Sequence, residues 1–455
     1  VNLNKRLVII GGGPAGNAAA TSAARKGVEV IVVEREIVGG AAHLLDCVPS
    51  KTMIATGGAM SFTESLSGMG LSNRDAEIDV NALTDRIEGI KNRLSNDMTS
   101  LLQSQGVTII RGSARLLNAN TVHVDASDGT THQIQADDIL ISTGTRPRIP
   151  QFAQPDGDRI LTTRDCYPPR IFPESVTIIG SGVTGVEFAH MFASFGSRVT
   201  LVVSRQQVLP GKDPEVAAVL EENFLSRGVR LYKGARATNI ERTENGVRVV
   251  CDDGRVSETT HAVLAIGSIP NTEDLGLEDI GVEMDGGYVV INRHCQSTVE
   301  HIYAAGDVSG KLPLSSVASM QGKKVAEQVV GGPRGPHRHL DYDKAASAIF
   351  TEPEIADVGL AEAEAFASGR KIRVTKVPFA TTAKALINND SRGFVKIISD
   401  PATGEVLGGS IVGRHAAELI SVIALAVTAN LKVSDIEESL LVHPALAEAL
   451  SEAAE

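Results

Sequence analysis

Two stretches of the chain carry the same order of apolar and small residues. The first opens with the unbroken apolar run Leu7-Val8-Ile9-Ile10, passes through a glycine-rich turn into an Ala-rich stretch over 18–24, and reaches Gly27. A second apolar run over 30–33 then stops at Glu34. The second stretch opens with an apolar run over 176–179, turns through Gly180-Ser181-Gly182, continues as a helical pattern around 186–195, and closes after Gly196 with an apolar run over 199–203. Apolar runs without polar alternation, bounded by glycine, predict strands of a parallel sheet covered on both faces. Their alternation with helices predicts right-handed βαβ units.

Between the two echoes a helical pattern covers about 82–105, and strand-rich sequence follows to the apolar run Ile139-Leu140-Ile141. A matching run over 262–266 closes the second unit. From about 337 the pattern changes to short strands near 371–378, 394–398 and 405–412, with helices near 415–429 and 433–440. Pro401-Ala402-Thr403-Gly404 reads as a hairpin turn. The Pro/Gly/His/Arg stretch 332–339 reads as a linker. The expected fold is α/β, with two Rossmann-like dinucleotide-binding domains and a C-terminal α+β domain. The expected boundaries are 1–150 for the first domain, 151–272 for the second, 273–336 for a return to the first, and 337–455 for the last.

Length and charge narrow this picture. A chain of 455 residues is long enough for about three domains. With 43 Lys+Arg against 55 Asp+Glu the net charge is −12, which argues against a basic face tracking nucleic-acid phosphates. Trp is absent and aromatics are 4%, which argues against a base-stacking platform. No apolar run is long enough for a membrane-spanning helix, and residues 7–10 run straight into a turn, as a first strand does and a signal peptide does not. The four cysteines, Cys47, Cys166, Cys251 and Cys295, are scattered, so neither a disulfide framework nor a paired-cysteine metal site is expected. Sparse cysteine without an export signal predicts a cytosolic protein.

The turns carry the chemistry. Gly11-x-Gly13-x-x-Gly16, with Pro14 and Ala15 inside it, follows a strand and opens a helix, and Glu34 lies eighteen residues beyond Gly16. Such glycines let backbone N–H groups reach a pyrophosphate at a helix N-terminus, and the distal acid accepts ribose hydroxyls. The second motif is Gly180-x-Gly182-Val183-Thr184-Gly185, but eighteen residues on stands Val203, followed by Ser204 and Arg205. A hydroxyl and a guanidinium accept a 2′-phosphate, so NADPH is admitted here alongside NADH. Two dinucleotide folds imply two dinucleotides, read most economically as one tightly held flavin and one exchangeable nicotinamide. Thr143-Gly144, Gly267 and Gly306-Asp307 each follow an apolar strand and are candidate cofactor contacts.

Taken together, these marks resemble the flavoprotein disulfide reductase family. The resemblance runs through Gly39-Gly40-Ala41, Cys47-Val48-Pro49-Ser50-Lys51, Gly185-Val186-Glu187, Tyr303-Ala304-Ala305-Gly306-Asp307, Phe350-Thr351-Glu352-Pro353-Glu354 and His443-Pro444-Ala445-Leu446-Ala447-Glu448. It implies FAD on the first domain, NAD(P)H on the second and a homodimer made by the third. It also implies a Lys51–Glu187 ion pair beside the flavin, Cys47 as the flavin-proximal thiol and His443–Glu448 as an acid–base pair. Cys47 is expected to gain thiolate character from a helix beginning near Pro49. His43 is expected to line the pocket or face solvent.

The chain departs from the family at one point. Disulfide-reducing members carry two cysteines five positions apart, and the first of these positions is Ala42 here. One thiol cannot both attack and resolve a mixed disulfide. Electrons are therefore expected to leave bound FAD for a small acceptor, as in a similar bacterial subgroup of NAD(P)H:quinone reductases. The alternatives are a soluble pyridine nucleotide transhydrogenase, a dihydrolipoamide dehydrogenase-like disulfide reductase using another cysteine, and a non-enzymatic FAD-bound redox sensor.

Overall fold

β1 (Arg6–Ile10) and β2 (Glu29–Glu34) form the parallel pair that the first apolar runs predict, with Ile10 beside Val33. α1 (Pro14–Ala24) joins them. Pro14 occupies the first helical turn, where its missing N–H leaves no hydrogen bond unmade. The coordinates are a computed structural model that describes residues 5–72, 76–332 and 339–455. The chain divides into two units.

The first unit comprises Val1–Ser50, Thr84–Arg148 and Ser268–Tyr342. Its seven-stranded sheet runs Ile302–Ala304, Asp138–Ile141, β1, β2, Thr108–Asn118, Thr121–Ala126, Thr131–Gln135. The first five strands are parallel and the last two turn back antiparallel. Leu7, Ile9, Ile139, Leu140 and Ile302 are fully buried along this sheet, each contributing about 1.5–3 kcal/mol of hydrophobic stabilisation. The order brings three strand ends to one edge. Gly11 N–H bonds to Val33 O, Ser142 N–H to Ile10 O and Ala305 N–H to Ile141 O, at 2.8, 2.9 and 3.0 Å. The three predicted turns therefore open at the carboxyl edge, where ligands of such sheets bind.

The second unit comprises Lys51–Leu83, Ile149–Gly267 and Asp343–Glu455. α2 (Val48–Ser65) enters it at Lys51. The second echo forms β3 (Ser175–Ile179), α3 (Val183–Ser194) and β4 (Arg198–Val203), and α4 (Pro214–Ser226) follows. Its parallel sheet runs Arg230–Lys233, β4, β3, His261–Leu264, Ile160–Thr162. The C-terminal part is a five-stranded antiparallel sheet, Ser347–Ile349, Glu354–Gly359, Val406–Gly413, Phe394–Ser399, Arg373–Pro378. Helix Ala416–Ala429 packs on it through Ile420 and Ile423. The predicted helix near 433–440 is shorter, Val433–Glu437. Most of the predicted linker, 333–338, lies outside the described residues.

Candidate active site

The two glycine motifs use their positions alike. Gly11 and Gly180 have φ of +107° and +111°, and a Cβ there would stand 2.3 and 2.2 Å from the carbonyl oxygens of Ser142 and Ala265. A side chain at Gly16 or Gly185 would stand 2.1 or 1.9 Å from the carbonyl oxygen of its own motif's first glycine. These glycines press helix onto turn. The middle glycines are different: a Cβ at Gly13 meets only Gly40 Cα at 3.7 Å, and at Gly182 nothing within 4 Å. Open space above the N-termini of α1 and α3 suits a ligand phosphate.

The first cradle is elaborated beyond its motif. Glu34, 7% exposed, accepts from Gly12 N–H at 2.6 Å and from Glu36 N–H at 2.7 Å. A carboxylate offers about four acceptor sites, so capacity remains for ribose hydroxyls. The Thr143–Gly144 turn is tied to Asn271 by Thr143 Oγ1 to Asn271 O (2.7 Å) and by Asn271 N–H to Gly144 O (2.9 Å). Gly306 N–H donates to the buried Gln321 Oε1 at 2.7 Å. Burial pushes the Asp307 carboxyl above its usual range, opposed by Thr145 Oγ1–H at 3.1 Å. A desolvated carboxylate with this one donor suits the hydroxyls of a sugar or ribityl chain, so these residues fit FAD.

The segment after Gly40 corrects one expectation. The helix does not begin near Pro49. The helical run begins at Ala41 and is wound as a π-helix over Ala42–Cys47 before α2 continues it. Cys47 therefore lies inside a helical run, and the N-terminal amides belong to residues beside Gly40. The wider winding appears where Pro49 supplies no N–H, and Val48 N–H bonds to His43 O, five residues back. Buried Leu44 pins the turn beneath Gly39. In an α-helix, residues five apart diverge by about 140°. A π turn, hydrogen-bonded between residues five apart, brings positions 42 and 47 nearer to one face. None of the four cysteines is in a disulfide. Burial pushes the thiols of Cys166 and Cys251 up, and that of Cys295 up to about 12. These are poor candidates for a replacement thiolate. His43 Nδ1 is buried without a hydrogen-bond partner, and burial lowers the ring's pKa.

The second cradle is barer. Val183, Thr184, Ser204, Arg205 and Gly267 are exposed, and buried Val203 stands where the first cradle has Glu34. One turn into α3, Glu187 is 6% exposed and accepts from Lys51 Nζ at 2.7 Å and from Phe350 N–H at 2.9 Å. Lys51 Nζ also lies 5.1 Å from the centre of the Phe350 ring. His443 Nδ1 and Glu448 Oε1 are 2.7 Å apart on the exposed surface. The Ala445 amide, then His443, hold the Glu448 carboxyl below its usual range.

The structure thus brings together Lys51 with Glu187, His443 with Glu448, and the glycines, Glu34, Gly40, Thr143, Gly144 and Asp307 around the first cradle. The bond of Thr145 to Asp307, the tie of Asn271 and the double contact of Phe350 were missed from sequence, because no period or motif marks a partner more than a hundred residues away, and Gln321 was missed because no motif marks the Gly306 amide fifteen residues before it. Among the described residues no cluster of metal-ligating side chains occurs and no helix is long and apolar enough to cross a membrane.

Comparison with known proteins places this geometry. Residues 5–322 match the pyridine nucleotide-disulphide oxidoreductase family, and residues 345–454 match its dimerisation domain. The chain is 41% identical to an NAD(P)H dehydrogenase (quinone) of Mycobacterium tuberculosis, over 99% of this chain and 93% of that protein. It is 31% identical to a dihydrolipoyl dehydrogenase of Bacillus subtilis, over 98% of this chain and 95% of that protein. The crystal structure of LpdA from M. tuberculosis superposes with a TM-score of 0.94 at 40% identity, covering 99% of each chain. The HOCl-induced flavoprotein disulfide reductase RclA from Escherichia coli superposes with a TM-score of 0.87 at 26% identity, covering 99% of each chain.

Proposed function

The chain belongs to the pyridine nucleotide-disulphide oxidoreductase family, whose flavoenzymes use FAD and NAD(P)H, and from that premise we propose that it is an NAD(P)H:quinone oxidoreductase working without a redox disulfide. One observation carries the reading: position 42, five residues before Cys47 on the π turn, carries a methyl group and no thiol. The chemistry is NAD(P)H plus a proton plus quinone giving NAD(P)⁺ plus hydroquinone. FAD, held by the first cradle around Gly11, Gly13, Glu34 and Asp307, would supply the two-electron chemistry between nicotinamide and acceptor. Lys51, ordered by Glu187, supplies positive charge where negative charge develops. The exposed Ser204 and Arg205 hold the adenosine end of the nicotinamide cofactor. His443, oriented by Glu448, supplies the proton to the acceptor oxygen, and the C-terminal domain pairs two chains in a cytosolic homodimer. The name of the 41% identical relative supports the quinone. A second reading, transhydrogenase activity, rests on Val203, which excludes neither nicotinamide. Thio-NAD reduction by NADPH outrunning menadione reduction is its mark.

Anaerobic reductive titration tests the main reading. The expected endpoint is two electrons per FAD, moving to four in Ala42→Cys. Four electrons in the unaltered protein would overturn it, as would lipoamide turnover that survives beside negligible menadione reduction.

A further inference from the structure

The pair Lys51–Glu187 is held from outside. Glu187 divides its carboxylate, one oxygen to the ammonium and the other to Phe350 N–H, so the amide fixes the plane of the group and with it the place of Lys51. Lysine has a flexible four-carbon stem. That carboxylate and the Phe350 ring both contribute to its order here. Phe350 begins a short strap, Phe350-Thr351-Glu352-Pro353, leading into strand Glu354–Gly359.

The far end of the strap is gripped by one arginine. Arg392 Nη2 donates to Glu352 Oε1 at 2.8 Å. The same guanidinium meets both oxygens of Asp390, Nε to Oδ1 and Nη2 to Oδ2, each at 2.8 Å. With its amide turned to the orientation that satisfies both neighbours, the Asn223 side chain, on α4, completes the grip, its nitrogen 2.8 Å from Glu352 O and its oxygen 3.0 Å from Arg392 Nη1. Thr351, 3% exposed, ties the middle of the strap through its hydroxyl to Pro353 O at 2.8 Å. The hydrogen bonds that Arg392 donates to Asp390, then to Glu352, raise its pKa, so the clamp stays charged. A planar fork of this kind fixes direction as well as distance, which a lysine would not.

We infer that Arg392 is a positioning residue for the redox reaction: by pinning Glu352 it holds the Phe350 strap, and the strap orients Glu187 and Lys51. This rests on the proposed role of Lys51 toward bound FAD. Arg392 lies 205 positions beyond Glu187 in the chain, and its guanidinium bonds to Asp390, Glu352 and Asn223.

The test compares Arg392→Met, Arg392→Lys, Glu352→Gln, Glu187→Gln, Lys51→Met and the Arg392→Met/Glu187→Gln double variant, each as FAD-loaded full chain. Two quantities are read: the midpoint potential of the bound flavin by equilibrium dye titration, and the anaerobic rate of flavin bleaching by NAD(P)H. Arg392→Met is expected to shift the potential to a more negative value and slow bleaching about tenfold, with half-saturating NAD(P)H unchanged. Arg392→Lys recovers part of this, and Glu352→Gln moves both quantities in the same direction by less. The double variant is expected to match Glu187→Gln alone, as residues acting through one another do. Should Arg392→Met fail to hold FAD, Glu352→Gln decides. The inference is overturned by unchanged potential and rate in the folded variants, or by a double variant whose effect is the product of the two singles. Failure of the underlying reading looks different: Lys51→Met itself leaves the potential unmoved.

Discussion

The two dinucleotide cradles share one backbone plan and differ in everything added to it. In the first, Glu34 closes the motif, a second helical N-terminus begins beside Gly40, and a desolvated Asp307 waits at a third strand end. In the second, Val203 replaces the acid, and Thr184, Ser204 and Arg205 face solvent. Added partners favour retention, and their scarcity favours exchange. A cofactor that must stay through many turnovers needs the first arrangement, and one that must leave each cycle needs the second.

The largest expected break in this comparison comes from the third glycine. Gly16→Val drives a side chain into Gly11 O and should give a chain without flavin. Gly185→Val makes the same collision with Gly180 O and should keep FAD while losing NAD(P)H-driven bleaching. Overpacking costs about 1–3 kcal/mol or more. Flavin absorbance per chain, followed by anaerobic mixing with NAD(P)H, reads both outcomes, and equal flavin loss in the two variants would erase the distinction.

A smaller effect should follow from charge reversal at the exposed end of the second cradle. A hydrogen bond to a charged group is worth about 1.5–3 kcal/mol. Arg205→Glu should therefore lower kcat/KM for NADPH roughly thirtyfold while changing the value for NADH little. Equal losses with both nucleotides would remove Arg205 from 2′-phosphate recognition.

The smallest expected effect is in the acid response. His190, 1% exposed on α3, has its pKa lowered to about 3 by burial first, then by Arg227 and Arg392. The unfolded chain binds this proton near pH 6.5, so the stabilisation is whole above that value and is lost as the pH falls toward 3. Asp307 runs the other way. Its raised carboxyl gives stabilisation that is present at low pH and lost as the pH rises through its folded value. His190→Gln should flatten the acid side of a plot of thermal midpoint against pH, and an unchanged plot would assign the acid response elsewhere.

Much of this was legible along the chain. Continuous apolar runs ending in glycine located both β–turn–α units, and the acid at position 34 against valine at 203 separated the cradles before any coordinates. The winding at 42–47 was not legible, because π hydrogen bonding there depends on Leu44 packing under Gly39 and on Pro49, two residues past Cys47. Nor was the strap: Phe350 stood in a quoted motif, but its amide acts on a carboxylate 163 positions away. Motifs mark what touches a ligand. The groups that hold those residues in place meet only through tertiary structure.

The π turn has a consequence for the protein's surroundings. Backbone hydrogen bonds and Leu44 shape it, with no sulfur–sulfur link. Its form is therefore indifferent to the glutathione balance of the compartment, and a trivalent arsenical, which needs two neighbouring thiols to chelate, meets a thiol on one side and a methyl on the other.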